Sequence, residues 1–201
     1  MVTRRLPAEQ RRQQILKCAT RIFAQSNFKA ATSKQIAAEV GISEAAVFNY
    51  FATKKDIFLA IIDHVNARIL AGWEQQIAEG GTVSSILRDM GVSYLSAITE
   101  HPDELKVQFQ AVSEIDDPAI AERLRQHHQS YVDMVQELVT RGVAAGEFPP
   151  QTPTRAIAYM FDSLGVFANL MNLLGDKHFD LVQANKILDY LLAPLLHKNS
   201  G

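Results

Sequence analysis

The chain has 201 residues and a mass of 22.4 kDa, 47% of them hydrophobic and 21% charged. That is enough apolar material for a real core, and it is not the composition of a disordered chain. One cysteine, Cys18, leaves no disulfide framework and no cysteine-based metal cluster within one chain. The N-terminal MVTRRLPAEQ is basic without the apolar stretch of a secretory signal, and no continuous apolar run reaches the ~18 residues of a membrane span. A cytoplasmic protein with no membrane association and no cofactor is the expectation.

The formal net charge of −2 hides a division. Residues 1–55 carry ten bases against three acids, while 56–201 carry ten bases against nineteen acids. A polyanion-binding head on an acidic body explains this asymmetry, and so does clustering of charge on solvated helix faces.

Along the chain the pattern is helical, with no sustained alternation of the kind a sheet needs. The first helix is expected from about Ala8 to Gln25, with Ile15, Ala19, Ile22 and Phe23 on one face. A short link with Asn27 and Phe28 follows. Thr32 with Gln35 three positions later reads as a capping box, and the helix it opens should end near Val40, before Gly41. Ser43 can cap a further short helix. Two short helices around a glycine turn make a helix-turn-helix, with Ile36, Val40, Ile42, Val47 and Phe51 as its apolar seam and Ala37 where the helices cross closely.

A connecting helix is expected over 54–70, where Ile57, Ile61, Val65 and Ile69 recur at steps of four beside Phe58 and Ile62. Asp117-Pro118 and Thr152-Pro153 read as N-caps followed by proline at the first helical position. Asp103 and Glu104 after Pro102 suit a helix start, and Gly80-Gly81, Gly146 and Gly175 read as stops. Two long helices are expected at about 153–174 and 180–196, apolar around most of their circumference, with Pro194 bending or ending the second. Such helices fit a four-helix bundle shared by two chains, Gly165 and Ala168 allowing close approach; a monomeric core is the other reading.

Residues 11–62 resemble the N-terminal domain of the TetR family of bacterial transcriptional regulators. The resemblance lies in Ile15-Leu16, Ala19, Phe23 and Phe28, then Thr32 with Ile36-Ala37, Gly41-Ile42-Ser43, and Phe48-Asn49-Tyr50-Phe51 followed by Lys54 and Ile57. The stretch 142–153 resembles the family's late inter-helix connection. The resemblance implies an all-α homodimer. Its N-terminal three-helix helix-turn-helix domain, here 1–53, would bind DNA. Its C-terminal domain, here 54–201, would bind a small-molecule effector and dimerise, through the last two long helices in this reading. In the family, effector binding typically re-spaces the two heads and releases the operator. Three positions depart from the usual pattern. Phe48 replaces a tyrosine, keeping a ring for packing and losing a phosphate-reaching hydroxyl. Asn27 replaces a glycine, and Glu44 replaces a basic or small residue.

For holding double-stranded DNA, Thr32 offers a hydroxyl at a helix N-terminus. Tyr50 offers a phenol for a phosphate or packs beneath the head. Lys54 makes a backbone contact by resemblance or is a solvated helix-start lysine. Arg4 and Arg5 form an arm along a groove. The reading positions are Glu44, Ala45, Ala46 and Asn49, with Lys34 from the preceding helix, and Ser43 at the start of the reading helix is a further DNA-binding candidate. Asn49 can pair with adenine or face water, Glu44 can accept from cytosine or only cap, and the alanines suit a thymine methyl. Trp73, Tyr94, Phe109, Val112, Met134, Met160, Phe161 and Phe167 are the candidate effector-pocket residues or ordinary core. His127-His128 with Glu114, Asp116 and Asp117 match no metal-ligand spacing, and no metal is expected. No phosphate loop, HExxH or GxSxG motif is present, which disfavours an enzyme. The function expected is that of a ligand-responsive repressor released from a palindromic operator by a small, largely apolar molecule. An architectural or cell-division DNA-binding protein of the same fold is the alternative.

Overall fold

The structure is a computed structural model and describes residues 6–196, with the side chains of 194–196 excepted. Nine α-helices lie among the described residues, with no strand. They are α1 Ala8–Ala30, α2 Ser33–Val40, α3 Glu44–Phe48, α4 Lys54–Glu79, α5 Val83–Glu100, α6 Pro102–Gln110, α7 Pro118–Ala144, α8 Thr154–Leu174 and α9 Leu181–Leu196, with a 3-10 turn at Ala111–Glu114 before α7. The helices pack into two compact units. Among the described residues, one holds 6–65 together with Asp103–Ala121; the other holds Asn66–Pro102 and 122–196.

In the first unit, α1 buries Ile15, Ala19 and Phe23 at steps of four. Phe23 meets the rings of Phe28 and Phe58 at centroid distances of 5.9 and 5.4 Å, and Phe28 meets Phe58 at 4.5 Å. α1 runs on beyond the expected end, to Ala30, across a kink at Asn27 (φ 65°, ψ 168°). Asn27 does take the positive φ its type tolerates, but its ψ places it in a region that is essentially glycine's. Its side chain offsets part of that cost by accepting the Ala30 N–H at 3.0 Å.

Both turns of the helix-turn-helix follow local rules. Thr32 Oγ1 accepts the Gln35 N–H at 3.2 Å, and Gln35 Oε1 accepts the Thr32 N–H at 2.8 Å, completing the capping box. Gly41, at φ 75°, closes α2 in the left-handed conformation that a side chain would strain. Ser43 Oγ accepts the Ala46 N–H at 3.2 Å and opens α3. Ile36, Val47 and Phe51 are buried, while Ile42 is half-buried.

α4 is longer than expected because its stripe does not stop at Ile69; Trp73, one further step of four, is also buried. Asp117 Oδ1 accepts the Ala119 N–H at 2.9 Å, and α7 starts at Pro118 as expected. At the later proline the expectation shifts by one residue. Pro153 itself takes the N-cap position, and the Thr152 hydroxyl donates to the Pro149 carbonyl at 2.7 Å.

In the second unit, α5 packs against α8 and α9. Glycines set two of these approaches: a Cβ on Gly165 would lie 3.0 Å from the Tyr94 ring, and one on Gly91 would lie 2.7 Å from Leu188. Gly165 and Ala168, read from sequence as small residues for a shared bundle, thus serve packing within the chain; Ala168 is only 2% exposed. α9 continues past Pro194 to Leu196. By length and composition alone α8 is long and apolar enough to cross a membrane, at a mean hydropathy of 1.3. It nevertheless holds a carboxylate, Asp162, in contact with His128, and an Arg155 paired with Asp133, and it packs on α5 and α9.

Candidate nucleic-acid interface

The surface built by α2 and α3 is set by which side of each short helix the core takes. Ile36, Ala37, Val40 and Val47 are drawn inward. Lys34, Ser43, Glu44, Ala45 and Asn49 are left exposed, with Ala46 and Tyr50 half-buried. The expected reading residues are therefore all at least partly open to solvent, and Asn49 lies just beyond the last turn of α3 as its C-cap. Glu44 sits in the first turn, where its charge suits the helix dipole.

Thr32 is exposed, but its hydroxyl is used twice within the capping box, accepting from the Gln35 N–H and donating to Gln35 Oε1 at 3.0 Å. Arg4 and Arg5 lie outside the described residues. Phe48, expected to keep its ring for packing, is only partly covered, at 41% exposed.

Lys54 is not a solvated helix-start lysine. Its ammonium donates to the carbonyls of Phe28 at 2.7 Å and Ala31 at 2.8 Å, lies 3.4 Å from that of Lys29, and stands 4.6 Å from the centroid of the Phe28 ring. These are carbonyls at the end of α1, which have no partner inside the helix. Burial pulls the Lys54 pKa below the ordinary lysine value, the Glu114 carboxylate opposing it.

Two acidic residues from the segment before α7 also reach the basic head. Lys55 Nζ is 2.9 Å from Asp117 Oδ2, and Lys29 Nζ is 3.4 Å from Glu114 Oε2. The Lys55 hydrogen bond, aided by the Ala119 and Ile120 N–H groups, holds the Asp117 carboxyl below the usual carboxylate range. The segment that lies beyond residue 100 in sequence thus neutralises part of the charge excess of residues 1–55.

Of the expected effector residues, Phe109 and Val112 belong to the first unit, the other six to the second. Trp73 and Phe161 are close, ring to ring at 5.9 Å, with Tyr131 5.6 Å from Trp73 and the Trp73 indole donating to the Met90 carbonyl at 3.3 Å. Met134 is half-buried. Burial, and then the Asp162 carboxylate, push the Tyr94 hydroxyl up to about 12. Val112, Met160 and Phe167 are 54%, 48% and 43% exposed. The reason on α8 is phase: Met160, Phe167 and Leu174 recur at steps of seven on its outward side, next to Tyr159 and Val166. Leu181, Val182, Ile187 and Tyr190 on α9 are exposed as well. A cavity of about 300 Å³ does exist between α5, α8 and α9, with Leu95, Ile98, Ala168, Phe179 and Ala184 in its walls. None of the expected effector residues lines it.

The residues weighed for a metal go elsewhere. His127 is buried, His128 Nδ1 meets Asp162 Oδ2 at 3.1 Å, and Asp117 caps α7. Among the described residues no three such ligands cluster.

Known proteins agree with this architecture. The profile of the bacterial regulatory proteins of the tetR family matches residues 15–61, and that of the tetracyclin repressor-like C-terminal domain matches 80–168. The transcriptional repressor AcnR of Corynebacterium diphtheriae is 31% identical over 144 residues, 71% of this chain and 70% of that protein. The nucleoid occlusion factor SlmA of Pasteurella multocida is 36% identical over 70 residues, but these are 34% of this chain and 35% of that one. The crystal structure of FadR from Bacillus subtilis in complex with stearoyl-CoA superposes with a TM-score of 0.80 at 18% identity, covering 90% of this chain and 98% of that one. With the helix-turn-helix, its exposed face and the helical body all in place, the chain belongs to the TetR family and is a DNA-binding transcriptional regulator.

Proposed function

We propose that this regulator is a repressor that holds a palindromic operator as a homodimer and releases it on binding a small, largely apolar molecule in the cytoplasm. The observation that carries the dimer is the exposed apolar side of α8 and α9, where nine large hydrophobic side chains, from Tyr159 to Tyr190, face water in the single chain. Monomers rarely leave so much apolar surface together. Two copies of this helix pair would cover it as a four-helix bundle and present two α3 helices to one duplex. The named role of AcnR supports repression. The acyl-CoA held by FadR supports an effector with a long apolar part. The likeness to the nucleoid occlusion factor spans only a third of the chain, too little to favour that role.

Within the head, Lys34, Glu44, Ala45, Ala46 and Asn49 read bases, while Thr32, Ser43 and Tyr50 orient the head on the phosphates. The test is a gel shift on the DNA flanking the protein's own gene, followed by challenge with apolar compounds, long-chain acyl-CoA among them. A protected palindrome released by one class of these compounds is expected. A palindrome that none of them releases sinks the effector reading, and absence of any protected site sinks the operator reading.

A further inference from the structure

We infer that Phe48 is a base-reading residue, its ring taking the 5-methyl group of a thymine in the major groove and so specifying an A·T pair. The inference rests on the reading of α3 as the helix that enters the groove. Core formation accounts for the large apolar side chains on either side of it: Val47 is 0% exposed and Phe51 5%. Phe48 stands out between them at 41%, and from the start of α1 to the end of α4 no other large hydrophobic residue is so exposed. It occupies the last position of α3, and helical spacing puts Glu44 and Ala45, four and three residues earlier, on the same side. Both are exposed, and so is Asn49 after it. The surface therefore carries an apolar pair, Ala45 and Phe48, between two polar ends.

The chemistry of that pair selects the partner. A phenyl ring has no donor for a phosphate oxygen, so Phe48 cannot do the backbone work of a tyrosine. Nor is one ring with one methyl large enough for a stable protein interface, which needs on the order of 1,000 Å². The major groove displays donors and acceptors on every base pair, and its one apolar feature is the thymine methyl. Covering that methyl with a ring removes apolar surface from water on both sides. At about 0.8 kcal/mol for one buried carbon, the gain is roughly fourfold in affinity.

The test uses the full chain. Selection from a randomised duplex library yields its preferred site. Each thymine of that site is then replaced singly by deoxyuridine, which removes the 5-methyl and leaves base pairing intact. Affinities are measured for the unaltered protein, Phe48→Ala and Phe48→Tyr, with thermal unfolding as the control for folding. One position in each half of the site should lose about fourfold with the unaltered protein and with Phe48→Tyr. The same replacement should cost Phe48→Ala less than twofold, at an unchanged unfolding temperature. If the selected site contains no thymine whose methyl matters, or if the methyl effect survives in Phe48→Ala, the inference is wrong while α3 remains the reading helix. If selection enriches no sequence at all, the groove assignment of α3 falls and takes this inference with it.

Discussion

Lys54 and Phe28, 26 residues apart, are joined twice: the lysine ammonium donates to the Phe28 carbonyl at 2.7 Å and stands over the Phe28 ring at 4.6 Å from its centroid. Phe28 is in turn the ring that packs on Phe58, four positions after Lys54 on α4. The start of α4 therefore closes the end of α1 by charge and by ring stacking. Lys54→Met should lower stability by about 1–2 kcal/mol, since it leaves helix-end carbonyls without a charged donor. Because the ammonium is already spent on carbonyls, the salt dependence of operator binding should keep its slope. A thermal melt measures the first effect and titration at several salt concentrations the second. A slope reduced by about one unit would return Lys54 to the phosphate backbone.

Asn27 carries a backbone conformation that costs an ordinary residue about 1–3 kcal/mol. Glycine adopts it freely. Replacement also removes the Asn27 side-chain acceptor of the Ala30 N–H, an exposed bond of smaller value. Asn27→Gly should stabilise the head by up to about 1 kcal/mol, read as a higher urea midpoint at constant m-value. A lower midpoint would show that the side-chain bond outweighs the backbone strain.

Glu147 caps α5 from 63 residues away. Its carboxylate accepts the N–H groups of Val83 and Ser84 and the Ser84 hydroxyl, each at 2.7 Å. Burial alone would raise its pKa, and the Ser84 and Val83 hydrogen bonds more than offset this, leaving it below the ordinary glutamate value. A carboxyl depressed in the folded state adds stability that is fully present above its unfolded pKa, near 4.5, and is lost as pH falls through the lower folded value. Glu147→Gln should be less stable than the unaltered chain at pH 7, and the difference should shrink as the pH falls from about 5 to 3. Denaturant melts across that range give the comparison. A difference that stays constant with pH would mean the charge plays no part.

The exposed apolar side of α8 and α9 gives a test of assembly. Val166 is 52% exposed and Val182 58%, so a charge at either should leave the single chain folded. Val166→Asp with Val182→Asp should convert a species of about twice the 22.4 kDa chain mass into one of the chain mass in sedimentation at micromolar concentration, with helicity retained. An unaltered sedimentation coefficient would place the dimer interface elsewhere.

Relations within a few residues were legible in the order of amino acids alone. The capping box of Thr32 and Gln35, the stop at Gly41, the proline start of α7 and the step-four stripe of α4 each join groups within one or two turns, where backbone geometry leaves few choices. The family resemblance over 11–62 rests on the same local grammar. What tertiary packing decided is where each helix turns its sides. It took the Lys54 ammonium to the end of α1, brought Glu114 and Asp117 against the basic head, and carried Glu147 to α5. It left Phe48 and Phe167 partly exposed, although their types suit a core equally well. Such contacts join residues dozens of positions apart, and apolar side chains on neighbouring faces of a helix carry no local mark of which face will be covered. Only the assembled neighbours settle that, by removing water from one side and leaving it on the other.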